Sequence, residues 1–124
     1  MQSKRRSVGP RLRVYLEPDI ALGPGKAALL LGIKELGSIA AAGRRMGMSY
    51  KRAWNLVKAM NAHFKAPLVE TSRGGRLRGG ATLTATGESV LACYRSMEIV
   101  TAKAIAKEMR TLRSLLRDTS KARG

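Results

Sequence analysis

Residues 38–64 read SIAAAGRRMGMSYKRAWNLVKAMNAHF, and this segment decides the fold. Ser38 is a good N-cap for a short helix, which we expect to end before Gly47. Ser49 is placed to cap a second helix, which we expect to continue to about Phe64. A short helix, a three-residue turn that contains a glycine and a longer helix have the spacing of a helix-turn-helix motif.

The second helix of this motif has one apolar face and one basic, polar face. Its apolar residues recur at the spacing of a helix stripe that packs into a core, and they are Ala53, Leu56, Val57, Met60 and Phe64. Its outer face combines groups that bond phosphates with groups that bond base edges. We therefore predict DNA contacts from this helix and its cap, through Ser49, Tyr50, Lys51, Arg52, Asn55 and Lys58.

Two of these residues favour a binding role over simple solvation. Lys51 and Arg52 fall in the first helical turn, where the helix dipole disfavours positive charge by about 0.3–1 kcal/mol each. A phosphate docked at the same helix end removes that conflict. The alternative is an ordinary solvated face, since Lys and Arg are common on exposed helices.

The segment after this helix predicts a β-hairpin. Short strands at Leu68–Glu70 and 81–83 flank a loop that is rich in glycine and arginine. A hairpin directly after a recognition helix is the wing of a winged helix. Its loop is predicted to contact the DNA backbone or a narrow minor groove through Arg73, Arg76 and Arg78.

A long helix is predicted from Thr84 to about Arg117. It carries two apolar stripes, and one winged-helix body cannot cover both of them. We therefore expect a homodimer in which a second copy covers the surplus apolar surface. The alternative is a helix that lies entirely on its own domain. Cys93 and Trp54 are expected to be buried packing residues.

The remaining segments complete the predicted organisation. Residues 1–10 are expected to form a flexible basic arm. The alternation over 11–16 predicts a half-buried strand with Leu12, Val14 and Leu16 on one face. A helix over 26–36 follows, and Gly37 ends it. The predicted organisation is an arm (1–10), a winged helix-turn-helix domain (11–83) and a dimerisation helix with a basic tail (84–124), a mainly α fold with a small β-hairpin.

The composition of the chain excludes several classes of protein and indicates an anionic partner. The 124 residues carry a formal net charge of +16, and residues 38–82 contain nine basic residues against one acid. A 44% hydrophobic content excludes a disordered basic tail, and the longest apolar run, 27–31, is too short for a membrane span. One cysteine and one histidine argue against a disulfide framework, a Cys-rich zinc site and a catalytic site. We expect no catalytic residue, metal or cofactor, a cytoplasmic location, and double-stranded DNA as partner.

The motifs resemble a known family. Three segments are similar to the N-terminal domain of molybdenum-dependent transcriptional regulators of the ModE type, which are relatives of the LysR-type winged helices. They are residues 37–39, 47–54 and 60–61, and the central segment reads Gly-Met-Ser-Tyr-Lys-Arg-Ala-Trp. The wing at Thr71–Gly80 and the following Leu-Thr-Ala-Thr-Gly-Glu at 83–88 resemble the same family. The resemblance covers about residues 11–118.

This resemblance implies a homodimeric, sequence-specific regulator in a pathway linked to molybdate. Full-length members carry molybdate-binding modules after the dimer helix, and we expect this chain to lack them, so that molybdate sensing would be absent or would belong to another protein. Two other functions stay open. One is a nonspecific architectural protein that binds DNA or RNA through charge alone. The other is an interaction module controlled by an oxyanion-sensing partner.

Overall fold

The computed structural model describes residues 10–72 and 80–118 and confirms a mainly helical fold with a β-hairpin wing. The elements in chain order are strands β1 (Val14–Glu17) and β2 (Ile20–Leu22), helices α1 (Pro24–Leu36), α2 (Ile39–Arg45) and α3 (Tyr50–His63), strands β3 (Val69–Thr71) and β4 (Ala81–Leu83), and helices α4 (Ala85–Ala104) and α5 (Ala106–Ser114). The predicted flexible arm, apart from residue 10, and most of the wing loop lie outside the described residues.

The helix ends agree with the capping residues in the sequence. Three hydroxyl groups accept hydrogen bonds from backbone amides in the first turn of α2, α3 and α4, and they belong to Ser38, Ser49 and Thr84. In the turn between α2 and α3, Gly47 has a φ of 74°, a left-handed conformation that a side chain would strain. The helix-turn-helix motif is therefore present as predicted.

The core is built around α1. Leu29, Leu30 and Ile33 of this helix are fully buried. They belong to one buried cluster with apolar side chains of α2, α3, the wing strands and α4, namely Ile39, Ala42, Ala53, Val57, Met60, Leu68, Val69, Ala81, Leu91 and Tyr94. This single core fixes α3 and the wing relative to each other.

The first strand belongs to a hairpin that the sequence did not predict. Strands β1 and β2 pair antiparallel, and their register shifts between Tyr15 and Glu17. The shift breaks the alternation of side chains, because an irregular residue pair changes the direction in which the next side chains point. Leu12 and Val14 pack against the core as predicted, but Leu16 is 51% exposed, so its placement on the buried face is wrong.

The wing is joined to both of its neighbouring helices. Its strands β3 and β4 pair antiparallel, with Val69 opposite Leu83. The Asn61 side chain of α3 accepts hydrogen bonds from the backbone amides of Leu68 and Val69 at 2.8 and 3.1 Å and donates one to the Val69 carbonyl. The amide of Thr84, just before α4, donates to the Leu68 carbonyl at 2.9 Å. The first wing strand is therefore fixed from two sides.

The predicted single long helix is interrupted. Residues 85–104 and 106–114 form separate helices, and Ile105 between them has φ −106° and ψ 12°. The local sequence does not explain the break.

Cys93 is exposed rather than buried. Leu91 and Tyr94 face the core, and position 93 lies about 200° around the helix from Leu91, at about 100° per residue.

Candidate nucleic-acid interface

The N-terminal half of α3 presents polar and basic side chains to solvent. Its cap is the Ser49 hydroxyl, which accepts a hydrogen bond of 3.1 Å from the Arg52 amide. The buried residues of this helix are Ala53, Val57 and Met60, so its opposite face is exposed. All six residues predicted to contact DNA from this segment are exposed, namely Ser49, Tyr50, Lys51, Arg52, Asn55 and Lys58. Lys51, Asn55 and Lys58 lie on the face opposite the buried residues, at about 100° per residue.

Four of these residues line one open depression. Ser49, Lys51, Arg52 and Asn55 surround it, together with Leu56. The depression therefore combines two cations, one amide and one hydroxyl group. Guanidinium and amide side chains can each bond a base edge through two atoms, and an ammonium group binds a phosphate as a point charge.

The basic residues of this face are available for a ligand. The first turn of α3 contains no acidic residue. Within the described residues the ion pairs are Lys34 with Glu88 and Arg45 with Glu35, and neither involves α3. Lys51, Arg52 and Lys58 thus have no acidic partner in that part of the chain.

An aromatic pair lies beside this face. The rings of Tyr50 and Trp54 are stacked, with 6.4 Å between their centroids and 12° between their planes. Tyr50 is 57% exposed. Trp54, which the sequence predicts to be buried, is only half-buried, with part of its ring against the core. Its spacing of four residues from Tyr50 brings the two rings together on one side of the helix.

The other predicted contacts are in the wing loop. Arg73, Arg76 and Arg78 lie outside the described residues. The wing strands that carry this loop are attached to the C-terminal end of α3 by Asn61. Sequence reasoning did not identify Asn61 as a residue that positions the wing. The sequence offered two signals for Asn61, a polar residue close to the end of the helix and its place in the segment 60–61 that carries the family resemblance.

Other kinds of site find no support in the described part of the chain. Residues 10–72 and 80–118 contain no group of three or more His, Cys, Asp or Glu side chains that could hold a metal ion. Among the helices formed by these residues, none is long and apolar enough to cross a membrane.

Comparison with curated proteins supports the resemblance to molybdenum-dependent regulators. The chain is 43% identical over 91 residues to the molybdenum-pterin-binding protein MopB of Rhodobacter capsulatus, covering 73% of this chain and 34% of that protein. It is 39% identical over 89 residues to the molybdenum transport protein ModE of Azotobacter vinelandii, covering 70% of this chain and 33% of that protein. The chain thus spans about a third of the length of these relatives.

Comparison with solved structures and with protein families identifies the fold and the family of the chain. The crystal structure of the CbnR DNA-binding domain in complex with DNA matches with a TM-score of 0.57 at 22% identity, covering 71% of this chain and 95% of that one. The family described as bacterial regulatory helix-turn-helix protein, lysR family, matches residues 26–88. This is a family of transcriptional regulators that bind DNA, not of enzymes. The segment matched contains most of α1, the helix-turn-helix, both wing strands and the start of α4, and the chain belongs to the lysR family of bacterial regulatory helix-turn-helix proteins.

Proposed function

We propose that this protein is a sequence-specific transcriptional regulator that binds double-stranded DNA as a homodimer. The α3 face carries the proposal, because Lys51, Arg52 and Asn55 converge on one open depression. In this proposal α3 enters the major groove, where each base pair has a distinct pattern of donors and acceptors. Arg52 and Asn55 read base edges there, while Lys51 and Lys58 bind phosphates. Ser49 and Tyr50 contact the backbone at the start of the helix.

The proposed wing contacts supplement this helix. The Asn61 hydrogen bonds hold β3 beside the C-terminal end of α3, so the wing strands are attached to the helix that is proposed to enter the groove. Arg73, Arg76 and Arg78 would hold phosphates or enter a minor groove, which attracts arginine where it is narrow. These contacts would position the protein without specifying the sequence.

The homodimer is supported by apolar surface at the C-terminal helices. Five large apolar side chains of this region are 58–75% exposed, namely Ile99, Val100, Leu112, Leu115 and Leu116. Burial of such side chains is favourable by about 1.5–3 kcal/mol each. A second copy of the chain would bury them symmetrically and would place two α3 helices on inverted half-sites.

A link to molybdate is suggested by the relatives' names, which refer to molybdenum. We propose that the protein works in such a pathway in the cytoplasm and that a separate protein senses the oxyanion. Molybdate added to the purified 124-residue protein should then leave its affinity for DNA unchanged. A ligand shifts an equilibrium only through differential affinity for two states, and in this proposal the protein that has such affinity for molybdate is the separate sensor. Retention of the protein by an immobilised molybdate-sensing partner, with and without molybdate, tests the second half of this proposal.

Competition between two kinds of duplex tests the central proposal. Duplexes selected by the protein from a random pool are competed with bulk duplex at several salt concentrations. A sequence reader should prefer the selected duplex by about 10³-fold or more. With about 6–10 phosphate contacts per dimer, affinity should fall by about 10³–10⁵-fold between 50 and 200 mM salt. A steep salt dependence without a preference would identify a nonspecific architectural protein instead, and a flat salt dependence would exclude nucleic acid as the partner.

A further inference from the structure

A second depression lies between the β1–β2 hairpin and α3. Three basic side chains line it, Arg13 before β1, Lys26 in the first turn of α1 and Arg52 on α3, and Met48 and Leu56 also belong to its lining. We call it the basic bay. Its volume of about 190 Å³ is below the roughly 300–1,000 Å³ of small-molecule pockets. The bay therefore fits a small anionic group better than a nucleotide or a metabolite.

The structure places the cations of the bay with defined contacts. Arg13 lies across the backbone of Gly23, where a side chain would come within 3.6 Å of the Arg13 Cβ and Cγ atoms. The Lys26 ammonium donates a hydrogen bond of 2.8 Å to the Ala21 carbonyl. An ammonium group has three donors, so this bond orients Lys26 and leaves donors for a ligand.

The charge of the bay is not balanced by the described part of the protein. Within residues 10–72 and 80–118 no acidic residue lines the bay, and neither described ion pair includes Arg13, Lys26 or Arg52. Three neighbouring like charges repel each other, and an anion placed among them relieves that repulsion. The bay is thus complementary to a group with negative charge and several acceptor atoms.

The basic bay is continuous with the proposed DNA-reading face, because Arg52 and Leu56 line both depressions. A major groove is about 12 Å wide and an α-helix with its side chains about 10–12 Å across, so phosphates of both strands lie along the flanks of an inserted helix. The wing is attached near Asn61 at the C-terminal end of α3. The bay lies beside the N-terminal half of that helix, away from this attachment.

We propose that the basic bay binds one backbone phosphate of the duplex that α3 reads, with Arg13 and Lys26 as contacts from the β1–β2 hairpin and the start of α1. This inference rests on the proposed function and adds a contact site outside the helix-turn-helix and the wing. A phosphate contact fixes register and orientation and carries no sequence information. Loss of the bay should therefore weaken binding to all sequences equally.

Two pairs of variants test the bay by charge. Arg13→Gln and Lys26→Gln remove one cation each from the bay, and Arg110→Gln and Lys103→Gln remove the same charge from exposed positions on α5 and α4. Each bay variant should bind about tenfold or more weakly at 50 mM salt. One phosphate contact contributes about 0.9 to the slope of log affinity against log salt concentration. The ratio of affinities between the unchanged protein and a bay variant should therefore shrink about threefold between 50 and 200 mM salt. The control variants should keep the slope of the unchanged protein.

Folding is checked separately. Arg13→Lys keeps a long stem against Gly23 and a positive charge, so it should retain most of the binding that Arg13→Gln loses. Melting temperatures of the Arg13 variants and of the two controls should match that of the unchanged protein, since Arg13, Lys103 and Arg110 are exposed. Lys26→Gln also loses the hydrogen bond to the Ala21 carbonyl, so its melting temperature should fall slightly. A binding defect shared by Arg13→Lys and Arg13→Gln, with lowered melting temperatures, would show that Arg13 acts on the fold and would overturn the bay as a contact site.

A scan of the DNA backbone locates the contact. The selected duplex is prepared with a single neutral methylphosphonate at each position in turn. In each half-site one such position should weaken the unchanged protein but leave Arg13→Gln without a further loss, which is the coupling expected of a direct pair. If the unchanged protein binds with a steep salt dependence and the bay variants behave like their controls, the bay is wrong and the proposed function stands. If the unchanged protein does not bind duplex DNA, both are wrong.

Discussion

The Tyr94 hydroxyl donates a hydrogen bond of 2.5 Å to the Leu12 carbonyl, 82 residues earlier in the chain. Tyr94 is 1% exposed, so the ring is part of the core and its hydroxyl group needs a partner there. The bond ties α4 to the segment that leads into the β1–β2 hairpin. Because Arg13 directly follows Leu12, the position of this cation beside α3 depends on the placement of α4.

Replacing this tyrosine should lower stability without unfolding the protein. Tyr94→Phe keeps the ring but leaves the Leu12 carbonyl without its partner, which should lower the free energy of unfolding by about 1–2 kcal/mol. Urea unfolding measures the change. Tyr15→Phe is the control, since Tyr15 is 64% exposed and its replacement should have no effect. An equal effect of the two changes would mean that the Tyr94 bond contributes nothing.

The same hydroxyl should make stability depend on alkaline pH. Burial raises the pKa of Tyr94 above its ordinary value of 10.0, the Glu98 charge raises it further, and Arg11 and Arg13 lower it. The folded protein thus favours the neutral phenol, while the unfolded chain loses its proton near the ordinary pKa. The stabilisation that the neutral Tyr94 hydroxyl contributes should be complete below about pH 10 and should fall as the pH rises beyond that value. The difference in unfolding free energy between the unchanged protein and Tyr94→Phe, followed from about pH 8 to 11, should decrease with pH.

A close approach at the start of α4 predicts a severe effect of one methyl group. A Cβ atom at Gly87 would overlap the Leu68 carbonyl oxygen, which accepts the Thr84 amide. Gly87→Ala should therefore lower the free energy of unfolding by about 1–3 kcal/mol and displace the wing strand from α4. Gly25→Ala is the matched control, because it has open space around the added methyl group, and it should be neutral or slightly stabilising. Thermal unfolding distinguishes the two, and equal melting temperatures would contradict the contact.

The helix-turn-helix could be predicted from the sequence because its ends are set locally. Ser38, Ser49 and Thr84 each cap a helix through a group three residues away, and Gly47 supplies the left-handed turn residue. Such signals depend on a few neighbouring residues and not on the rest of the fold. The exposed face of α3 followed from the same periodicity.

Features that depend on tertiary contacts could not be predicted. Strand β2 has only three residues, too few for an alternating pattern to indicate a strand, yet it pairs with β1 in a hairpin. The Asn61 bonds to the wing strand and the Tyr94 bond to Leu12 join distant parts of the chain. The basic bay arises in the same way, because Arg13, Lys26 and Arg52 come from three different parts of the fold.

Substitutions of two asparagines on α3 should distinguish a residue that positions the wing from a residue that reads bases. Asn61→Ala leaves the amides of Leu68 and Val69 without their side-chain acceptor and should cost about 1–3 kcal/mol of stability. Asn55 is exposed, so Asn55→Ala should leave stability unchanged and relax the preference at particular base pairs by about 1–3 kcal/mol. Thermal unfolding and a panel of single-base-pair variants of the selected duplex measure the two effects. If Asn55→Ala bound every duplex of the panel in the original order of affinity, Asn55 would not read bases.

The apolar surface of α5 should hold the proposed homodimer together. Leu112 is 61% exposed, so Leu112→Glu should leave the fold of one chain intact. In a symmetric dimer two leucines are lost from the interface, at about 1.5–3 kcal/mol each, which should raise the dimer Kd about a hundredfold or more. Thr111→Glu is the control, since it adds the same charge one position away on a different side of the helix. Sedimentation equilibrium should show Leu112→Glu as a monomer at concentrations where the unchanged protein and Thr111→Glu are dimers. Unchanged dimerisation of Leu112→Glu would exclude this face of α5 from the interface.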